Sequence, residues 1–179
     1  MSALLLVPAR PHALYVLAHG AGAGMRHAFM EAIAQRLAAR GIGTLRYQFP
    51  YAEKGSRRID PEPVLLATVR AAAASPLGDV AGLVFLGFPL HPAGQPGTSR
   101  ADHLAKVDLP MLFLQGTRDT LADLGLLRPV LERIGGRATL RVLEDADHSF
   151  HVRKKSGRTD EQTLDELADS IAGWREERT

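Results

Sequence analysis

A chain of 179 residues, 45% hydrophobic and 23% charged, has the size of one domain, and its lack of cysteine excludes disulfides, a thiol nucleophile and iron–sulfur ligation. The net charge of +2, from 22 basic against 20 acidic residues, is too even for the dense basic surface of a nucleic-acid binder. The apolar stretches at 3–7, stopped by Pro8, and at 82–90 are too short for a signal-peptide core or a membrane span, so a soluble, cytoplasmic protein with one domain over residues 1–179 is expected.

Apolar runs of strand length stand at residues 4–7, 14–18, 44–47, 83–87, 111–115 and 139–143, with the low polar alternation of strands covered on both faces. The second is followed by His19-Gly20-Ala21-Gly22-Ala23-Gly24 and then by a helical period carrying Phe29, Ile33 and Leu37, which ends at Gly41, a ready C-terminal cap. Three alternate glycines expose backbone N–H groups that could hold a phosphate or an oxyanion, or could simply turn the chain. The dinucleotide fingerprint fails there, because Met25 replaces its third glycine and the next strand ends in Arg46-Tyr47 without an acid.

A second helix opens at Asp60-Pro61, with Val64, Leu65, Thr68, Val69 and Ala72 on one stripe and Ser75-Pro76 as its stop. A third spans residues 121–134, with Pro129 as a point where it could divide, and ends at Gly135-Gly136. The last begins with the capping box Thr159-x-x-Gln162 and carries Leu164, Leu167, Ala168, Ile171 and Trp174. Strands alternating with helices predict an α/β fold, an open, mostly parallel sheet with helices on both faces. Ligands bind such sheets beyond the C-terminal strand ends.

Two of those ends carry acid–base chemistry. Gly116-Thr117-Arg118-Asp119 follows the fifth strand, and Glu144-Asp145-Ala146-Asp147-His148-Ser149-Phe150 follows the sixth. A carboxylate at Asp119 meeting the imidazole of His148 would fix its tautomer and stabilise its charged form. Separately, each would be a solvated or structural loop residue. Asp145, Asp147, His148 and His151 also have the types of a metal-ligand group. Basic clusters at Arg153, Lys154, Lys155 and Arg158 and at Lys54, Arg57 and Arg58 suit either an anionic ligand or a solvated face.

The glycine loop, Phe49-Pro50-Tyr51, the run Gly82-Leu83-Val84-Phe85-Leu86-Gly87-Phe88-Pro89-Leu90-His91-Pro92, Gly116-Thr117-Arg118-Asp119 and Asp147-His148-Ser149-Phe150 together resemble the α/β-hydrolase superfamily. The resemblance is to its dienelactone-hydrolase-like branch, which includes testis-expressed hydrolase-like proteins. It implies Asp119 as the triad acid, His148 as the base, and Gly20, Ala21 and Gly22 as the oxyanion loop, with the Ala21 N–H as donor. It further implies a small acyl substrate or ligand and neither cofactor nor metal, which assigns the Asp145 to His151 group to the triad loop.

The superfamily's nucleophile sits in G-x-S-x-G, and none of Ser2, Ser56, Ser75, Ser99, Ser149, Ser156 and Ser170 has glycine two before and two after it. Ser99 and Ser56, in loops after strands, are the substitutes to consider. About one β–α unit is absent between the second helix and the strand at 83–87. That strand is expected to move into the vacated place, pairing in parallel with both 14–18 and 111–115. Phe88 and His91 would then lie where the elbow belongs, as substrate-binding residues without a hydroxyl nucleophile. The expected function is a serine-type hydrolase of esters or related acyl compounds that lacks its usual nucleophile. The alternative is a non-catalytic ligand- or protein-binding module on the same scaffold.

Overall fold

Apolar strands pair here around two central members, β3 and β5. In the computed structural model, which describes residues 1–74 and 80–178, the chain forms two compact units, Met1–Val80 and Ala81–Thr179. The first holds β1 (Ala3–Leu6), β2 (Ala13–Ala18), α1 (Ala28–Ala39), β3 (Ile42–Tyr47), the single turn α2 (Pro50–Glu53) and α3 (Glu62–Ala74). Its sheet has the order β1-β3-β2, with β1 antiparallel and β2 parallel to β3. Thr44 and Arg46 on β3 face α1, where Arg46 pairs with Glu31, while Tyr47 clusters with Phe49, Tyr51, Ala72 and Leu65 on the side of α3.

The second unit holds β4 (Leu83–Leu86), a 3₁₀ segment Ser99–Lys106, β5 (Met111–Gly116), α4 (Leu124–Ile134), β6 (Ala138–Leu143) and α5 (Asp160–Glu176). Its sheet is all parallel, in the order β4-β5-β6. Every residue of β5 is buried. Met111 and Phe113 pack with Leu127, Val130 and Leu131 of α4, which leaves Leu112 and Leu114 for the opposite face, where α5 lies against β5. The capping box at Thr159 and Gln162 is formed in both directions and starts α5.

Four expectations are corrected. Among the described residues the strands pair in two groups, β1-β3-β2 and β4-β5-β6, so β4 pairs with β5 as predicted while the predicted ladder between β4 and β2 is not among the pairings. Pro129 does not divide α4, because Leu127, Val130 and Leu131 bury side chains on both sides of it. The third helix starts at Leu124 and not 121, because Asp119 takes the Leu121 N–H and Asp123 caps Gly125. On α3, Thr68 and Ala72 are buried, but Val64 and Val69 are 39% and 41% exposed, so its covered stripe is narrower than its apolar one. The predicted stop at Ser75-Pro76 lies outside the described residues. Among the described residues no helix is long and apolar enough to cross a membrane.

Candidate active site

The acid–base pair predicted from two separate strand ends meets in the second unit. Just beyond β5, Thr117 N–H bonds to Leu143 O and Arg118 N–H to Ala146 O, which folds the turn holding Asp119 against the segment leaving β6. That segment is closed by a bridge between Ala146 and Val152. Inside it, Asp147 Oδ1 accepts the N–H groups of Ser149 (2.9 Å) and His151 (3.0 Å). Asp145 and Phe150 take left-handed backbone angles, φ 57° and 62°, on either side of His148. Non-glycine residues adopt that conformation at a cost, here opposed by burial of the Phe150 ring and by ion pairing of Asp145 with Arg153.

The His148 Nδ1–H donates to Asp119 Oδ2 at 2.8 Å. Asp119 has a side chain with no exposure, whereas His148 keeps 39% of its own. The carboxylate also accepts the Leu121 N–H on Oδ1 at 2.8 Å and an amide N–H of Gln115 on Oδ2. Gln115, fully buried, accepts the Phe88 N–H at 2.9 Å through its Oε1. The hydrogen bond to Asp119 raises the His148 pKa above the ordinary 6.5, burial opposes this, and the charges of Asp119 and Asp147 add to the rise. The result is an imidazole whose Nδ1 is committed to Asp119 and whose side chain stays partly exposed. Gly87, at φ 70°, backs the ring so closely that a Cβ there would stand 3.2 Å from His148 Nδ1.

The other predicted site residues are distributed differently. Phe88 is buried between Phe85 and Phe113. His91 is buried too: its Nε2 accepts the Asp123 N–H (3.0 Å), so its Nδ1–H donates to Pro92 O (2.9 Å), and neither nitrogen remains for a ligand. In the first unit, Gly20, Ala21 and Gly22 form a tight turn closed by Ala23 N–H to Gly20 O, with Gly22 at φ 76°. Behind it His19 is buried against Phe49 and Tyr51, and its Nε2 accepts the Phe49 N–H. No serine hydroxyl hydrogen-bonds to His148 among the described residues, and Ser56 Oγ turns back onto Arg58.

Asp145, Asp147, His148 and His151 each have a different partner: Arg153, backbone N–H groups, Asp119 and Asp160. Arg153 and Arg158 of the basic cluster are taken up by Asp145 and Glu166, while Lys154 and Lys155 stay exposed. Sequence reasoning passed over Gln115. The available signal was a polar residue ending an otherwise apolar strand.

The alpha/beta hydrolase domain family matches the chain over residues 11–78 and 70–176. Among solved structures, the chain is similar to a dienelactone hydrolase from Anabaena variabilis at 18% identity and a TM-score of 0.69, covering 96% of this chain and 89% of that one. It is similar to an α/β serine hydrolase without a lid from Xanthomonas campestris at 20% identity and a TM-score of 0.64, covering 96% and 88%. It is also similar to the esterase domain of a Rhodothermus marinus protein at 14% identity and a TM-score of 0.65, covering 96% and 90%. Those identities speak for the fold alone, but the family match takes in most of the sequence, and on that ground the chain belongs to the alpha/beta hydrolase family.

Proposed function

We propose that this hydrolase-like protein binds small acyl compounds of the ester kind and acts on them without an acyl-enzyme. His148, backed by Asp119, removes a proton from water; the water oxygen bonds to the acyl carbon, the ester C–O bond breaks, and the leaving alkoxide takes the proton from His148. The observation carrying this reading is the buried, three-donor Asp119 carboxylate holding His148 through Nδ1 in a chain without G-x-S-x-G. General-base help of this type contributes about 10² to 10⁴ in rate, whereas loss of a serine nucleophile costs on the order of 10⁶, so slow turnover is expected. Residues 1–179 are read as one hydrolase-like domain, supported by a family match on both units, and a cytoplasmic setting agrees with the absence of cysteine.

The test is exposure to a fluorophosphonate followed by intact mass and peptide mapping, with p-nitrophenyl ester hydrolysis alongside. No stoichiometric adduct, no burst, and a rate that falls to background in His148→Ala are expected. One serine labelled to completion would restore an acyl-enzyme and overturn the proposal. A second reading, a non-catalytic binding module, is favoured by the packing of Phe88 and His91 into the interior. It predicts ester hydrolysis at background in the wild type and unchanged by His148→Ala.

A further inference from the structure

The role of Gln115 follows from which of its atoms has a choice of partner. A backbone N–H can only donate, so the Phe88 N–H, 2.9 Å away, must face the amide oxygen of Gln115. The orientation of the amide is thereby set by the main chain after β4, and its NH₂ is left pointing at Asp119 Oδ2. That oxygen is the one that accepts the His148 Nδ1–H. Oδ1 is separately occupied by the Leu121 N–H. The side chain of Gln115 has no exposure, so water cannot substitute for either of its bonds. A closed circuit results, from the backbone at Phe88 through Gln115 and Asp119 to His148, whose ring rests on Gly87, the residue before Phe88.

We infer that Gln115 is a positioning residue that holds the Asp119 carboxylate in the His148 plane and shares the charge of Oδ2 with the imidazole. This rests on reading Asp119 and His148 as an acid–base pair. Sharing has a direction: a second donor on Oδ2 reduces the negative charge available to the imidazolium. Replacing Gln115 by a group of similar volume without the donor therefore strengthens the hold of Asp119 on protonated His148. The charges facing His148 are those of Asp119 and Asp147, and neither is altered by the replacement.

The experiment is NMR titration of the His148 Cε1–H in the wild type, Gln115→Leu and Asp119→Asn. In Gln115→Leu the His148 midpoint should rise by about 0.5 unit or more, and in Asp119→Asn it should fall. An unchanged or lowered midpoint in Gln115→Leu overturns the role of Gln115. An unchanged midpoint in Asp119→Asn instead overturns the acid–base pair itself, so the two failures are distinct. A measurement on the wild type needs no variant: the Gln115 side-chain amide proton facing Asp119 should titrate with the His148 midpoint. An amide resonance indifferent to that transition refutes the shared oxygen.

Discussion

Replacing Gly116 with alanine tests how tightly the base-bearing loop is pressed onto the end of β5. A Cβ on Gly116 would overlap the Ala146 carbonyl oxygen, come within 2.7 Å of its carbon and reach 3.0 Å from Asp147 O. All three are main-chain atoms, so no side chain can swing aside. They are also restrained, since Ala146 O accepts the Arg118 N–H at 2.9 Å and Ala146 bridges to Val152. Restoring ordinary contact requires the loop to withdraw by about 1 Å. Overpacking of this kind costs about 1–3 kcal/mol, and weakening the Arg118 hydrogen bond adds about 1 kcal/mol, giving roughly 3 kcal/mol. For a chain of this length that lowers Tm by about 6–12 °C. Differential scanning calorimetry measures it, with Gly97→Ala as control, because a Cβ there meets nothing within 4 Å. A Gly116→Ala protein melting within about 2 °C of the wild type would show that the loop is not seated on this glycine.

The raised pKa of His148 gives stability a sign with pH. Its contribution is fully present below about pH 6.5 and lost as pH rises through the folded midpoint, so the Asp119-dependent share of Tm should decline across that interval. In Asp119→Asn the hydrogen bond and the charge that do most to raise the His148 pKa are gone, while burial, which lowers it, and the charge of Asp147, which raises it, remain, so the folded pKa falls and the decline with pH becomes shallower; His151, raised by Asp160, contributes equally to both proteins and cancels in the difference. Parallel Tm curves for the two proteins would contradict this. Tyr47 has a buried hydroxyl with no partner among the described residues, and burial pushes its pKa up to about 12. Tyr47→Phe should therefore be neutral or stabilising by up to about 1 kcal/mol in urea denaturation, and a loss larger than that would reveal a bond to the hydroxyl.

Local chemistry was legible wherever it needed only neighbouring residues. The Thr159 capping box requires two side chains three apart, and it is formed as read. Asp119 and His148 could be brought together on paper because each follows a strand at a short offset and β5 and β6 are adjacent. Gln115 stands out in its own segment only as a polar residue near the end of an apolar strand, and its role depends on Phe88, 27 residues away, donating to its oxygen. Phe88 and His91 were expected beside a ligand, but an aromatic cluster and the Asp123 N–H claim them from outside their own segment. Periodicity likewise marks Val64 and Val69 as apolar without saying how wide a stripe of α3 is covered.

The central strand of the first sheet, β3, is the last of its three in chain order, whereas β5 of the second sheet comes between β4 and β6. On a ribosome adding about 5–20 residues per second, this difference becomes one of timing. β1 and β2 do not pair with each other, so both emerge without a ladder and wait for residues 42–47, which pair with each of them. The second sheet can grow strand by strand, because β4 finds its partner in β5 before β6 is made. During synthesis the apolar segment at 3–6 is thus the strand that stays longest without its partner.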